Sequence, residues 1–150
     1  MLKNASLLLI LFSLVGCASV PMGDPAEDAR LKTFPVKPNV AGVYIYRNET
    51  LGAAITMPIE LDGKNLGRTA SKTYFYEEVA PGKHSVTSRG ENDDTLTFDA
   101  VAGKLYFIWQ EIKMGFFQPR TKLHQVGDEE GRKGVLESKL AAKGGKAKAE

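Results

Sequence analysis

The chain has 150 residues, 43% of them hydrophobic, 25% charged and 9% aromatic, with one cysteine and a formal charge of +2. That length suits a single domain of about 100 residues or slightly more, and the composition excludes a wholly disordered chain. One cysteine excludes a disulfide scaffold and a multi-cysteine zinc site, and so small a net charge argues against a nucleic-acid binder.

The chain opens with an apolar run. Lys3 precedes residues 5–16 (ASLLLILFSLVG), which carry no charge. A membrane-spanning helix needs roughly 20 such residues. No charged flank follows, only the loop-like Met22-Gly23-Asp24-Pro25. Residues 1–16 therefore read as a secretory signal peptide. The run closes on Leu14-Val15-Gly16-Cys17, which resembles the lipobox of bacterial lipoproteins. The resemblance implies diacylation of the Cys17 thiol (palmitate among the chains), cleavage after Gly16 and acylation of the new amino terminus. At about 0.8 kcal/mol per buried methylene, two or three acyl chains hold a protein on a membrane. Ala18 follows the cysteine in place of an aspartate. In enteric-type sorting that makes the outer membrane, facing the periplasm, the expected location.

Residues 17–39 are read as the lipidated cysteine and a tether. Pro21, Pro25, Pro35 and Pro38 interrupt it, and such spacing favours extended chain. Leu31 and Phe34 are the residues that would pack back on a domain.

From residue 40 the pattern becomes short apolar runs between turn signals. Residues 40–47 (VAGVYIYR) are β-branched and aromatic. Residues 55–61 alternate and end at Asp62-Gly63, a hairpin signal. Residues 64–67 begin the return strand. Residues 72–79 (KTYFYEEV) form the next strand, closed by Ala80-Pro81-Gly82-Lys83. There Pro81 presets one corner and Gly82 takes positive φ, as a type II turn requires. Residues 84–88 alternate. After the polar Glu91-Asn92-Asp93-Asp94, residues 95–101 put Leu96, Phe98 and Ala100 on one face. Residues 105–112 (LYFIWQEI) are the most hydrophobic strand, and residues 120–126 alternate again. The two-sided runs at Tyr44–Tyr46 and 105–109 are expected to be central. The whole predicts an all-β fold: a small antiparallel β-sandwich of about seven or eight strands over residues 40–127.

Residues 128–150 differ. Asp128, Glu129 and Glu130 suit a helix start, and Val135, Leu136 and Leu140 give an apolar stripe. Because Gly131 and Gly134 each cost roughly 1 kcal/mol inside a helix, the short C-terminal helix is expected to begin near Lys133 and stop at Gly144-Gly145. The end, residues 144–150 (GGKAKAE), reads as a disordered tail.

The phrase Val79-Ala80-Pro81-Gly82-Lys83-His84-Ser85-Val86 resembles PEGA-type modules and a related family of uncharacterised bacterial lipoproteins carrying a domain of unknown function. Gly42-Val43-Tyr44-Ile45-Tyr46-Arg47, Leu61-Asp62-Gly63 with Leu66-Gly67, Thr73-Tyr74-Phe75-Tyr76, and Ala102-Gly103-Lys104 with Tyr106-Phe107 extend the resemblance over residues 40–127. It implies a small β-sandwich on a lipid anchor, without a known reaction and without catalytic residues to carry over.

Candidate chemistry is sparse. His84 and His124 are the only histidines. With Asp62 or Glu77 they would make a metal site only if the fold joined them. Ser85 adjoins His84, but neighbours on a strand point to opposite faces and cannot be nucleophile and base. Glu77-Glu78 and Asp93-Asp94 sit at strand ends and turns, as solvated charges do. The strand aromatics, Tyr44, Tyr46, Tyr74, Phe75, Tyr76, Tyr106, Phe107 and Trp109, read as core, with a stacking face for sugar or peptide as the other option. Met114-Gly115-Phe116-Phe117 stands out, because two phenylalanines occupy an inter-strand loop. They are the candidate contact residues. The lysines of residues 139–148 read as a solvated tail.

The sequence thus leads to a lipid-anchored periplasmic binding or structural module of the bacterial envelope, with no catalytic, metal or cofactor site. Its expected partners are the membrane and an envelope protein or cell-wall polymer. The alternative is an envelope hydrolase or metal-dependent enzyme using His84, His124 and nearby acids. Replacement Cys17→Ser is expected to release most of the protein from membranes or leave it unprocessed. Fractionation after a high-salt wash checks this: a variant still cleaved after Gly16 and still sedimenting with membranes would contradict the anchor.

Overall fold

A computed structural model describes residues 19–144. Residues 1–18, which include the expected signal peptide and Cys17, and the last six residues lie outside that range. Nine strands and two helices follow in the order α1 (Pro25–Leu31), β1 (Ala41–Arg47), β2 (Met57–Leu61), β3 (Lys64–Thr69), β4 (Thr73–Val79), β5 (Gly82–Ser88), β6 (Asp94–Ala100), β7 (Leu105–Lys113), β8 (Arg120–Val126), α2 (Asp128–Leu136) and β9 (Lys139–Leu140). They form a sandwich of a five-stranded sheet, β8-β7-β1-β4-β9, and a four-stranded sheet, β3-β2-β5-β6. The fold is all-β with a C-terminal helix, as the spacing of apolar runs predicts.

Strand β1 lies at the centre of the larger sheet and is buried along its whole length. Its alternation feeds two cores. Val43 and Ile45 face the smaller sheet, where Ile59, Leu61, Leu66, Val86 and Phe98 meet them beside Phe75 of β4. Tyr44 and Tyr46 face the other way, into an aromatic layer with Tyr74, Tyr76 and Phe107 under the helices. The Tyr44 ring stacks on Phe107 at 5.2 Å and sits 4.7 Å from Tyr76. The two-sided aromatic runs are therefore central strands.

The Asp62-Gly63 hairpin is present, with φ of 51° and 77° at the two turn residues, the left-handed pair that a two-residue β-hairpin requires. Gly82 has φ 127°, as expected, and a side chain there would meet open space. The turn it makes differs from expectation: β4 and β5 belong to different sheets, so Pro81-Gly82 carries the chain across the sandwich. Two pairings, β1 with β7 and β4 with β9, are parallel, where an antiparallel sandwich was expected. The chain builds the smaller sheet between β1 and β7, and that long excursion returns it in the same direction.

Two expectations about helices are corrected. The segment read as a tether belongs to the domain from Ser19 onward. Asp24 caps α1 by accepting from the Ala26 and Glu27 N–H groups at 2.7 and 3.0 Å. Pro25 fits the first turn, where no N–H is needed. Leu31 and Phe34 are buried in the aromatic layer. The prolines thus shape a capped helix instead of an extended strap. The second correction is α2, which begins at Asp128, not near Lys133, and ends at Leu136, well before Gly144. Leu140 pairs in β9, and Leu136 is exposed.

The helical glycines explain the difference. A Cβ on Gly131 would lie 2.1 Å from the Phe107 ring, and one on Gly134 would lie 2.0 Å from the Tyr46 ring. Alpha-helical propensity is sacrificed so that the helix can lie directly on two aromatic rings. Substitution Gly134→Ala is therefore expected to destabilise by about 1–3 kcal/mol through overpacking, despite the roughly 1 kcal/mol that alanine gains in propensity. Urea denaturation checks the sign: a stabilised variant would mean the helix does not sit against Tyr46.

Candidate functional site

One end of the sandwich gathers the β1–β2, β5–β6 and β7–β8 loops, the β3–β4 turn and the C-terminal end of α2. A fully buried cation organises it. The Arg47 guanidinium donates to the carbonyls of Gly52 at 2.6 Å, Ile55 at 2.8 Å and Leu51 at 3.4 Å. It thereby fixes the β1–β2 loop. Its Nε has no partner among the described residues, and burial lowers the basicity of the group, with Glu49 opposing that effect. Glu49 bridges to β7 by accepting from Trp109 Nε1 at 3.1 Å and from the Ile112 N–H. Burial raises its pKa even so.

Beneath this end a buried polar chain joins the sheets. Thr69 donates to Gln110, Gln110 Nε2 donates to Ser88 Oγ at 2.6 Å, and Ser88 Oγ lies 2.7 Å from Thr121 Oγ1. Each member has its partner, so the chain fixes the relative position of the two sheets without leaving an orphaned group.

The β7–β8 loop is held from outside by Glu91. One carboxylate oxygen accepts from the Phe117 and Gln118 N–H groups, both at 3.0 Å. These bonds hold Glu91 below the usual carboxylate range. Asn92 braces β8 in both directions, donating to the Thr121 carbonyl and accepting from the Thr121 N–H. Gly115 sits where a Cβ would fall 1.7 Å from the Gln118 carbonyl oxygen. Such a tight turn admits only glycine.

On this braced loop Phe116 and Phe117 are each 87% exposed, and Met114 is 72% exposed. The two rings pack edge-to-face on each other at 4.7 Å, not on the core. Leu51 and Leu136 are exposed at the same end. Met22 is also exposed, and it shares a hollow of about 370 Å³ with Ser19, Ser71 and Lys72.

The structure does not bring the histidines together. His84 on β5 faces the layer between the sheets, its ring 6.0 Å from Phe98. His124 on β8 pairs across from Trp109 and stacks on that indole at 4.9 Å, on the opposite side of the larger sheet. Each has its own carboxylate, Asp62 at 2.6 Å for His84 and Glu111 at 2.8 Å for His124. No group of three His, Cys, Asp or Glu residues is placed to hold a metal among the described residues. The acids of the two candidate pairs form ordinary ion pairs: Glu77 with Lys143, Glu78 with Lys37, Asp93 with Arg89 and Asp94 with Lys122. Lys139 lies in β9 and Lys143 in this ion pair, so the first part of the lysine-rich stretch belongs to the fold.

Sequence reasoning located the exposed phenylalanines but missed Glu91 and Asn92 as their supports. Both looked like plain turn residues, and only the meeting of two loops gives them work. Of the strand aromatics, Tyr44, Tyr46, Tyr74, Phe75, Tyr76 and Phe107 are buried, while Tyr106 and Trp109 are half-buried.

A family model described as a protein of unknown function, DUF2846, matches residues 37–122. The chain belongs to this family. The match runs from just before β1 into β8, so it spans both sheets and the aromatic loop. An uncharacterised protein of Haemophilus influenzae is 34% identical over 141 residues, covering 92% of this chain and 83% of the relative. No solved structure matches.

The His84 pair gives this DUF2846 domain a pH dependence. His84 Nδ1 faces Asp62 and Nε2 faces the Ala80 carbonyl, both at 2.6 Å. Only the doubly protonated ring donates to both. The Asp62 bond raises the His84 pKa, with burial opposing. For Asp62, partial burial pushes up, but the bonds from His84 and the Ser85 N–H outweigh it and leave the pKa lowered. The His84 contribution is complete below its unfolded pKa of about 6.5 and fades as pH rises through the raised folded value. The Asp62 contribution is present above about 3.9 and fades as pH falls through its lowered value. The wild type should thus exceed His84→Gln in stability most clearly near pH 5–6, by about 1 kcal/mol or less for so exposed a pair. Denaturation at pH 5.5 and 9 checks this. A gap that grows on the alkaline side would contradict the imidazolium.

Proposed function

We propose that the chain is a lipid-anchored module of the bacterial envelope that works by binding, with the end bearing Phe116 and Phe117 as its contact surface. The observation that carries this is the rigid presentation of two bare phenylalanines. A loop with no task for them would fold them inward or carry polar residues, since exposed apolar surface in water is unfavourable. Here a glutamate and a glycine hold the backbone so that both rings point outward.

The lipobox-like Leu14-Val15-Gly16-Cys17 supports the anchor. It would place the domain at a membrane surface, within reach of an envelope protein there. The resemblance to PEGA-like lipoproteins agrees with that placement. Binding is favoured over catalysis because both histidines are committed to separate carboxylates on opposite sides of a sheet, and a hydrolase needs nucleophile, base and stabilising groups around one point.

The test separates contact from core. A phenylalanine packed in a core costs about 3–5 kcal/mol when truncated, whereas one exposed for contact costs under about 0.5 kcal/mol. Phe116→Ser and Phe117→Ser are expected to melt with the wild type, yet to lose most of the crosslinks that a photoreactive group at position 114 forms in intact cells. Crosslinks unchanged by both substitutions would sink the contact surface.

A further inference from the structure

Beside the aromatic layer, where the end of β1 meets β7 and α2, lies a hollow of about 240 Å³ lined by Tyr46, Asn48, Trp109, Glu130, Lys133 and Glu137. At about 30 Å³ per water, it has room for roughly eight waters or a molecule of similar size.

Tyr46 is the unusual member. Its side chain is only 2% exposed. The ring runs beneath α2 at Gly134, and its Cζ lies 2.5 Å from where a Cβ on that glycine would be. The hydroxyl therefore emerges beside the helix, at the hollow. The other tyrosines of this layer all have partners. Tyr44 donates to the Leu31 carbonyl at 2.8 Å, Tyr74 to Asp28 at 2.7 Å and Tyr76 to Glu78 at 3.4 Å. The Tyr46 hydroxyl has none among the described residues. The ring is buried while the oxygen keeps contact with solvent at the hollow, so it is free to accept from a donor that enters there.

The surroundings specify a cation. Burial, then Glu130, Glu137 and Glu49, push the Tyr46 hydroxyl up to about 12, which reports negative potential at its oxygen. Glu137 is oriented by Asn48, whose Nδ2 donates to it at 2.8 Å. The Trp109 indole is fixed at one edge by Glu49, stacked on His124 and among the residues that line the hollow. Lys133 is the one base among the lining residues. An indole beside carboxylates and an unused hydroxyl suits an organic ammonium group. A divalent metal would need several converging anionic or imidazole donors, and the described residues place no such set here.

We infer that this hollow binds a small organic cation, its ammonium group held by Glu137 and Glu130, the Tyr46 hydroxyl oxygen and the Trp109 face. The site is separate from the aromatic tip, and either can fail without the other.

Trp109 is the only tryptophan, so its fluorescence reads the site directly. The probes are choline and 1,5-diaminopentane, with 3,3-dimethyl-1-butanol as the uncharged counterpart of choline, titrated into the full chain. At least one cation is expected to give a saturable change at millimolar concentration or below, and the alcohol none. Tyr46→Phe removes an unused hydroxyl, so it should melt with the wild type while weakening the cation about three-fold or more. Glu137→Gln should weaken it about ten-fold. A flat response to both cations, an equal response to the alcohol, or titrations that the two folded variants leave unchanged would each overturn the site.

Discussion

Burial of β1 on both faces is the constraint from which the rest of the architecture follows. A strand exposed on neither side must be covered twice. The smaller sheet covers the Val43 and Ile45 face, and α1 and α2 cover the face of Tyr44 and Tyr46. Each large side chain in that second layer contributes roughly 1.5–3 kcal/mol of apolar burial relative to exposure. That reward sets how closely the helices approach. Gly131 and Gly134 answer the demand, because a helix with side chains at those points would stand off the rings and leave gaps in a layer that must be close-packed.

The same strand ends in the residue that shapes the functional end. Arg47 continues the inward face of Val43 and Ile45, so its charge is drawn under the loops. There it holds three carbonyls of the β1–β2 loop. A buried guanidinium without its hydrogen bonds is costly, so the loop and the cation depend on each other. The polar chain through Gln110 and Ser88 locks the two sheets beneath them. Loop positions at this end are therefore inherited from the core. The aromatic tip stands on a rigid base, and a contact surface gains affinity when its loop is ordered in advance.

Carboxylates in this fold support other groups more than they act alone. Glu91 holds the aromatic loop, Glu49 fixes the indole, and Asp62 holds His84. This use of acids as braces for loops fits a surface whose value lies in shape. It also explains why acid pairs along the sequence, inspected for hydrolytic chemistry, resolve into separate structural tasks.

Fold class was legible in the sequence because sheet burial writes itself as alternation and turns as Gly, Pro and Asp. Asp62-Gly63, the Leu96-Phe98-Ala100 face and the two-sided run at Tyr44–Tyr46 each record a local rule. The bare Phe116-Phe117 loop was legible for the opposite reason, since it breaks one. What the sequence left undetermined depends on contacts between distant segments. Gly131 and Gly134 argue against a helix until the rings beneath them are known. The prolines of residues 21–38 argue for a strap until Asp24 is seen capping α1. The parallel place of β7 beside β1, the paths that separate His84 from His124, and the unused hydroxyl of Tyr46 carry no local signature. Tertiary structure decided these, because packing chooses among conformations that neighbouring residues leave nearly equal in free energy.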